Sequence, residues 1–304
     1  MVAITMYLAV GSAHPALTVE DFRPAAGRPH LALAVKVERP RAPVKKDPRR
    51  LGIDTSARSA VVIDWETGAR LFEKNADAPA PIASISKLMT ALVVLQTKTD
   101  MRGQIQILGS DDRPGGIPYV APGEWIAVDD LFHLSLVASA NNATVALARS
   151  TGLSADDFAK KMNDMAAKIG MKSARFVEPT GLDPRNEASA ADVAVLVKRA
   201  LSEPAIKAAV NRESYRFVAK SGREVAVRST DQLLGSFLSK KPYTFLGGKT
   251  GYLQEAGYCL GAAAENGDGR RVVAVALGAP TIDQRFRDVK SLIFWAFDAF
   301  AWSQ

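Results

Sequence analysis

Apolar residues along this chain switch between two spacings, and the switches divide it into strands and helices. Ser59-Ala-Val-Val-Ile-Asp64 is a short apolar run that predicts a strand, Glu66-Thr67-Gly68 its turn, and Ala69 to Glu73 the returning strand. Ser84 opens a helical stretch that continues from Lys87 to Leu95. It is apolar on nearly every side, so it is expected to run buried through the middle of a domain. A second apolar helix starts at Asp129-Asp130, acidic residues suited to the positive end of a helix, and runs to Ala138. Residues 155–169 and Ala188–Leu201 follow as amphipathic helices. Strand spacing returns near 245–252, 257–264 and 271–278, with the turn signal Asn266-Gly-Asp-Gly269 joining the last two. The chain closes on a helix whose apolar stripe (Phe286, Val289, Leu292, Ile293, Phe297, Phe300) fits packing against a sheet. Strands at both ends with helices between them predict an α+β fold, an antiparallel sheet covered by helices.

Upstream of Leu51 this patterning stops. Residues 2–10 (VAITMYLAV) are apolar and lead into Gly11-Ser12-Ala13, small residues of the kind a signal peptidase prefers. The positively charged start of a signal peptide is missing, so residues 1–18 read as a truncated signal segment, as if the start codon had been set too far downstream. Residues 19–50 carry Pro24, Pro29, Pro40, Pro43 and Pro48 among basic residues and read as a linker. The folded body is expected to begin near Leu51 and to run to residue 304. No stretch reaches the ~18 apolar residues that span a bilayer.

The net charge of +7 changes this picture only once it is located. Residues 21–50 hold nine Lys/Arg and three Asp/Glu, so nearly all of the surplus belongs to the linker. No basic groove in the body is needed to explain it, and nucleic acid is not an expected partner. A basic linker suits anionic lipid head groups or cell-wall polymers as well as it suits a solvated spacer. A single cysteine, Cys259, in the apolar run Tyr258-Cys259-Leu260, excludes an intrachain disulfide and reads as a small core residue. The histidines are His14, His30 and His133. Only His133 falls in a predicted element, which leaves almost no material for a multi-histidine metal site and one candidate for a Ser-His-Asp triad. No metal or cofactor is expected, and a hydrolase built from this chain must find its base elsewhere.

Three short motifs supply one: Ser84-Ile-Ser-Lys87, Ser139-Ala-Asn141 and Lys249-Thr-Gly251. Three residues apart on a helix, Ser84 and Lys87 share a face and can touch. Ser84 at the helix start also meets backbone N–H groups without intrahelical partners, which can stabilise an oxyanion. A helix cap would account for the serine alone. It would not account for a lysine on an otherwise apolar helix, because burying that ammonium is costly and lowers its pKa. A shift of about three units, enough to make it a base near neutrality, is worth roughly 4 kcal/mol. Ser139-Ala-Asn141 interrupts an apolar run, as a loop or a helix cap projecting from the core would. Lys249-Thr250-Gly251 lies in a strand-like segment with Gly247 and Gly248 nearby, where small residues leave room for a close approach. A cation and a hydroxyl there suit a substrate carboxylate; an edge-strand lysine with a solvated head is the plain alternative.

Taken together in this order, the motifs resemble those of the low-molecular-mass penicillin-binding proteins, the D-alanyl-D-alanine carboxypeptidases and endopeptidases. The resemblance extends over Pro81-Ile-Ala-Ser-Ile-Ser-Lys-Leu-Met-Thr90, Phe176-Val-Glu-Pro-Thr-Gly-Leu-Asp183, Gly248 to Tyr252 and Glu255-Ala-Gly-Tyr-Cys259. It is nearest to the endopeptidase type (the penicillin-binding protein 7 group), since the chain ends after the catalytic region. The resemblance implies a β-lactamase-like fold and attack by Ser84 on a D-Ala carbonyl, with Lys87 as base and Ser139 relaying a proton to the departing amine. It further implies that Asn141 meets the substrate backbone and that backbone N–H groups of Ser84 and Tyr252 form the oxyanion hole. Lys249 and Thr250, beside Gly251, would hold a carboxylate. Peptidoglycan stem peptides are the implied substrate, β-lactams the implied inhibitors, and the periplasm or cell envelope the implied location. Ala140 stands where family members often carry Asp or Gly. Two rivals share these features: a serine β-lactamase using Glu178 to activate water, and a catalytically silent peptidoglycan-binding scaffold.

Overall fold

A computed structural model describes residues 40–303. The predicted signal segment over 1–18 and the linker up to residue 39 lie outside the described residues. Strands β1 (Val44–Lys45), β2 (Ser59–Asp64), β3 (Arg70–Lys74) and β4 (Ala80–Pro81) precede helix α1 (Ser86–Gln96). The pair β5 (Gln104–Gln106) and β6 (Trp125–Ala127) leads to α2 (Val128–Val137), α3 (Asn141–Arg149) and α4 (Ala155–Ile169). After β7 (Glu187–Ala188) come α5 (Ala190–Leu201), α6 (Pro204–Val210) and the hairpin β8 (Ser214–Val218) and β9 (Glu224–Arg228). The last third is β10 (Thr244–Leu253), β11 (Gly257–Glu265), β12 (Arg271–Ala279), α7 (Ile282–Ala299) and β13 (Phe300–Ala301).

The central sheet is antiparallel with strand order β10-β11-β12-β2-β3. Every residue of β2 is buried because helices cover both faces. Alternation along the strand sends Val61 and Ile63 into the core shared with α1 and α5, and Ala60 and Val62 into the core beneath α7. Small residues fill β11 where α5 presses closest: a Cβ on Gly261 would lie 2.8 Å from Val197 Cγ2. Local signals set the helix ends. Ser154, Ser189 and Thr281 each accept a backbone N–H from the third residue onward, and Gly170 closes α4 at φ 87°. Cys259 is fully buried, as expected of a core residue, and burial pushes its thiol up to about 11.

Several elements differ from the sequence expectation. Residues 40–50 are not all spacer: β1 pairs with β13, the Lys46 N–H donates to Ala299 O at 2.9 Å, and Arg50 pairs with Asp298 on α7. A two-residue strand has no periodicity to read, so Leu51 marks the onset of patterning and not of structure. The helix expected at Ala188 begins at Ala190, because Ser189 caps it and Ala188 pairs with Ala80. The α6 helix and the β8–β9 hairpin are absent from the pattern-based expectation. His133 stacks on Tyr215 of that hairpin at 4.3 Å, a packing role.

Between α1 and the sheet, the chain makes a single 3-10 turn, Ala83–Ile85. Ala83 has φ 48°, a conformation that costs a residue with a side chain about 1–3 kcal/mol. Two glycines press on this turn. A Cβ on Gly181 would lie 1.9 Å from Ala83 O, and one on Gly251 would lie 2.8 Å from Ile82 O. Gly181→Ala is therefore expected to lower unfolding free energy by about 2–4 kcal/mol in urea titrations. Gly152→Ala, also at positive φ but facing open space, should cost only about 1 kcal/mol. Equal losses at the two sites would mean that the close contact does not hold the turn.

Candidate active site

Three elements converge on the clamped turn. Ser84 sits half-buried within it, Lys87 lies one turn further along α1, and β10 passes alongside as the edge strand of the sheet. The link between α2 and α3 brings in the remaining groups. Helix α2 ends at Val137, Ser139 takes φ 57°, and the Ala140 N–H folds back onto Leu134 O at 3.2 Å. Ser139 is thereby held on a tight loop and Asn141 at the first position of α3. Asn141 is not a side-chain cap; its amide faces inward.

The Lys87 ammonium is wholly buried and meets three acceptors: Ser84 Oγ at 2.9 Å, Asn141 Oδ1 at 2.9 Å and Thr180 O at 2.7 Å. Asn141 is fixed in turn by donating from Nδ2 to Gly115 O at 2.9 Å. Thr180 belongs to the loop that Glu178 organises. The Glu178 carboxylate accepts the N–H and hydroxyl of Thr180, at 2.7 and 2.6 Å, and the Gly181 N–H. Burial lowers the pKa of Lys87 to about 7, with a small opposing pull from Glu178. Ser86, the other hydroxyl of the motif, is buried without a partner; Ser84 Oγ is the one in contact with the amine.

Lys249 on β10 is a second buried amine. It donates to Ser139 Oγ at 2.9 Å and to Thr250 O at 3.1 Å, and its side chain is essentially inaccessible. The plain alternative of a solvated edge-strand lysine is thus excluded. Its ammonium is directed at Ser139, whereas the sequence suggested a partner for an incoming carboxylate. Burial lowers its pKa well below the ordinary value, and the nearby charges of Lys87 and Arg285 add to the effect. Thr250 Oγ1 shares a proton with Thr230 Oγ1 at 2.7 Å. Gly251 allows β10 to approach the Ser84 turn, where a Cβ would come within 3.1 Å of Ser84 N. Tyr252 is half-exposed and stacks on Tyr258 at 4.4 Å. Lys87 thus ties Ser84 to Asn141, Lys249 ties Ser139 to β10, and Gly251, between Thr250 and Tyr252, brings β10 against the Ser84 turn.

Sequence reasoning missed three contributors. Thr180 supplies a backbone carbonyl, which leaves no trace in side-chain chemistry. Arg285 lies on the apolar stripe of α7, donates to Gly251 O at 3.1 Å and packs over Phe286 at 4.7 Å; a lone arginine on that stripe was the available signal. Asp231 is buried with one oxygen accepting from the Leu233 N–H at 2.9 Å and the other unpartnered. Burial pushes its carboxyl up to about 6 despite the pull of Lys249 and Arg285.

Known proteins resemble this chain in sequence and fold. Residues 43–281 match the model of the D-alanyl-D-alanine carboxypeptidase family. A D-alanyl-D-alanine carboxypeptidase, DacF, of Bacillus subtilis is 31% identical over 269 residues, spanning 86% of this chain and 67% of the relative. A D-alanyl-D-alanine endopeptidase of Pseudomonas aeruginosa is 32% identical over 237 residues, spanning 76% of this chain and 74% of its own length. The crystal structure of penicillin-binding protein D2 from Listeria monocytogenes in its cefotaxime-bound form superposes with a TM-score of 0.70 at 33% identity, covering 82% of this chain and all of that one. The α+β architecture thus has its counterpart among penicillin-binding proteins, and the chain belongs to the D-alanyl-D-alanine carboxypeptidase family.

Proposed function

We propose that this chain is a penicillin-sensitive serine peptidase that opens D-alanyl peptide bonds of peptidoglycan through an acyl-enzyme on Ser84. The observation that carries the proposal is the buried amine of Lys87, 2.9 Å from Ser84 Oγ and with its pKa brought near neutrality. A neutral amine in that position takes the hydroxyl proton as Oγ bonds to the D-Ala carbonyl carbon. Backbone N–H groups of Ser84 and Tyr252 receive the oxyanion. Ser139, hydrogen-bonded to Lys249, passes its proton to the amine as the C–N bond breaks. It is refilled with the proton that Lys87 took from Ser84, which returns Lys87 to its neutral form. A water that gives its proton to the same network then hydrolyses the ester. The free edge of β10 offers an extended peptide backbone its ladder groups, in the manner of an added strand. Acting on peptidoglycan requires export to the periplasm or cell envelope, with the basic residues of 19–50 as a contact for anionic lipid or wall polymer.

Glu178 bears on the β-lactamase alternative. Its carboxylate is engaged by the loop it organises, so it is not free to activate a deacylating water in the way of class A enzymes. Slow deacylation, and hence a lasting penicillin adduct, is the consequence.

Labelling with a fluorescent penicillin tests the proposal. Wild type should form an adduct that persists, and Ser84→Ala should form none while keeping its unfolding transition. Rapid turnover of the penicillin would indicate a β-lactamase, and no labelling of the wild type would indicate the silent scaffold. The pH dependence of labelling follows from Lys87. The amine must be neutral to accept the proton, so the acylation rate should be level above pH 7 and fall about tenfold per unit below it. A rate flat from pH 5 to 8 would assign the base elsewhere. Lys249→Ala leaves Ser139 without its hydrogen-bonded amine and should slow acylation by about 10²–10³-fold. An unchanged acylation rate would remove Lys249 from the chemistry.

A further inference from the structure

Away from Ser84, the outer face of α5, the end of α4 and the β2–β3 turn enclose a cleft of about 990 Å³. Five cations line it, Arg70, Lys168, Lys172, Lys198 and Arg199, against the carboxylates of Asp77 and Asp192. Both carboxylates are already occupied. Asp192 accepts the N–H groups of Lys172 and Ser173, at 2.6 and 2.9 Å, and the Ser173 hydroxyl. Asp77 is held by Arg70 through both oxygens, and Arg199 is paired with Glu203. Lys168, Lys172 and Lys198 remain with no hydrogen-bonded or ion-paired partner for their ammonium groups among the described residues.

The positive track continues beyond this cleft. Lys198 lies over the Trp65 ring at 6.0 Å, and Trp65 lines an adjoining smaller cleft together with Lys207 and with Arg271, which is itself paired with Glu66. Twelve residues of α5 run along the track, a length of about 18 Å. The charge ledger of the sequence pointed to no basic groove in the body, because nearly all of the surplus lies in residues 21–50. A near-neutral body nonetheless concentrates unpaired ammonium groups on one side, a distribution that net charge cannot reveal.

The spacing of these groups indicates what they fit. A single small anion is best held by donors converging on one point, whereas these amines are spread along two helices and a turn. They suit a chain of anions presented in succession. Peptidoglycan stem peptides, repeated along one polymer, bear free carboxylates in succession and offer that chemistry.

We propose that this cleft is an exosite for the carboxylates of peptidoglycan stem peptides, holding the polymer on the enzyme while Ser84 works on another bond of the same polymer. The proposal rests on the peptidase reading only for the identity of the polymer. Binding at a second place raises the effective concentration of scissile bonds at Ser84 without altering the chemistry there.

The test uses the full chain and the triple variant Lys168→Glu/Lys172→Glu/Lys198→Glu, none of which borders the Ser84 cleft. Cosedimentation with purified sacculi is measured at low and high salt, with fluorescent-penicillin acylation measured in parallel. Acylation should be unchanged, while affinity for sacculi falls at least about tenfold at low salt, a difference that disappears near about 0.5 M salt. Sacculi stripped of phosphodiester polymers by hydrofluoric acid separate the sources. Retained wild-type binding supports the stem-peptide carboxylates, and binding lost on stripping overturns them in favour of a phosphodiester polymer. Should the glutamate triple fail to fold, the Lys→Gln triple at the same positions is judged by the same readouts. Unchanged sacculus affinity in a folded variant overturns the exosite, including the case in which only binding to anionic lipid vesicles or DNA is lost. A wild type that penicillin does not acylate, but whose sacculus binding still depends on the three lysines, would overturn the peptidase reading and leave the exosite standing.

Discussion

Burying the amine of Lys87 is the constraint from which the rest of this structure can be understood. An ammonium with no contact to water and no carboxylate in salt-bridge distance among the described residues is held by three neutral oxygens. Lowering its pKa from 10.5 to about 7 corresponds to about 5 kcal/mol of differential stabilisation of the neutral form. Such a cost is tolerable only in a scaffold with a large surplus of apolar burial. Helix α1 provides it, with nine of its eleven residues buried between the sheet and the other helices. The base is therefore a product of the core, and mutations that loosen α1 packing act on catalysis as well as on stability.

The same constraint explains why the nucleophile sits on a strained turn. Lys87 must be buried while Ser84, three residues earlier, stays accessible, so the chain has to leave the core abruptly. It does so through Ala83 at positive φ, held down by Gly181 on one side and Gly251 on the other. Neither glycine is primarily a flexibility device. Each is the absence of a side chain where two backbones meet, and each ties a motif to the serine: the Glu178–Asp183 loop that carries Thr180 O, and the strand that carries Lys249.

How much of this could be read from sequence differs by kind of interaction. The sheet, the buried helix and the three motifs were legible because apolar periodicity and spaced side-chain chemistry leave marks in the order of residues. A buried lysine on an apolar helix announced its lowered pKa for the same reason. The Thr180 carbonyl, the Asp231 carboxylate and the β1–β13 pair were not legible. A backbone acceptor has no residue signature, Asp231 looks like any turn aspartate, and two-residue strands have no period. Lys249 was found but its contact with Ser139 was not, because sequence shows a cation on a strand and not which loop folds over it. The lysines lining the cleft beside α5 were likewise invisible as a group, since Lys168 and Lys198 come together only when α4 and α5 pack.

Glu178 shows how finely the arrangement is balanced. It is the acidic group that acts on the charge of Lys87, and a carboxylate in direct contact would hold the amine protonated and abolish it as a base. The loop prevents this by drawing the carboxylate onto its own N–H and hydroxyl donors, leaving an electrostatic pull on the amine that is outweighed by burial. Those same hydrogen bonds fix the Thr180 carbonyl that orients Lys87. One carboxylate thus positions the base through the backbone while being kept from neutralising its function. Arranged in this way, a site that depends on an uncharged lysine can be built with an acidic residue close by.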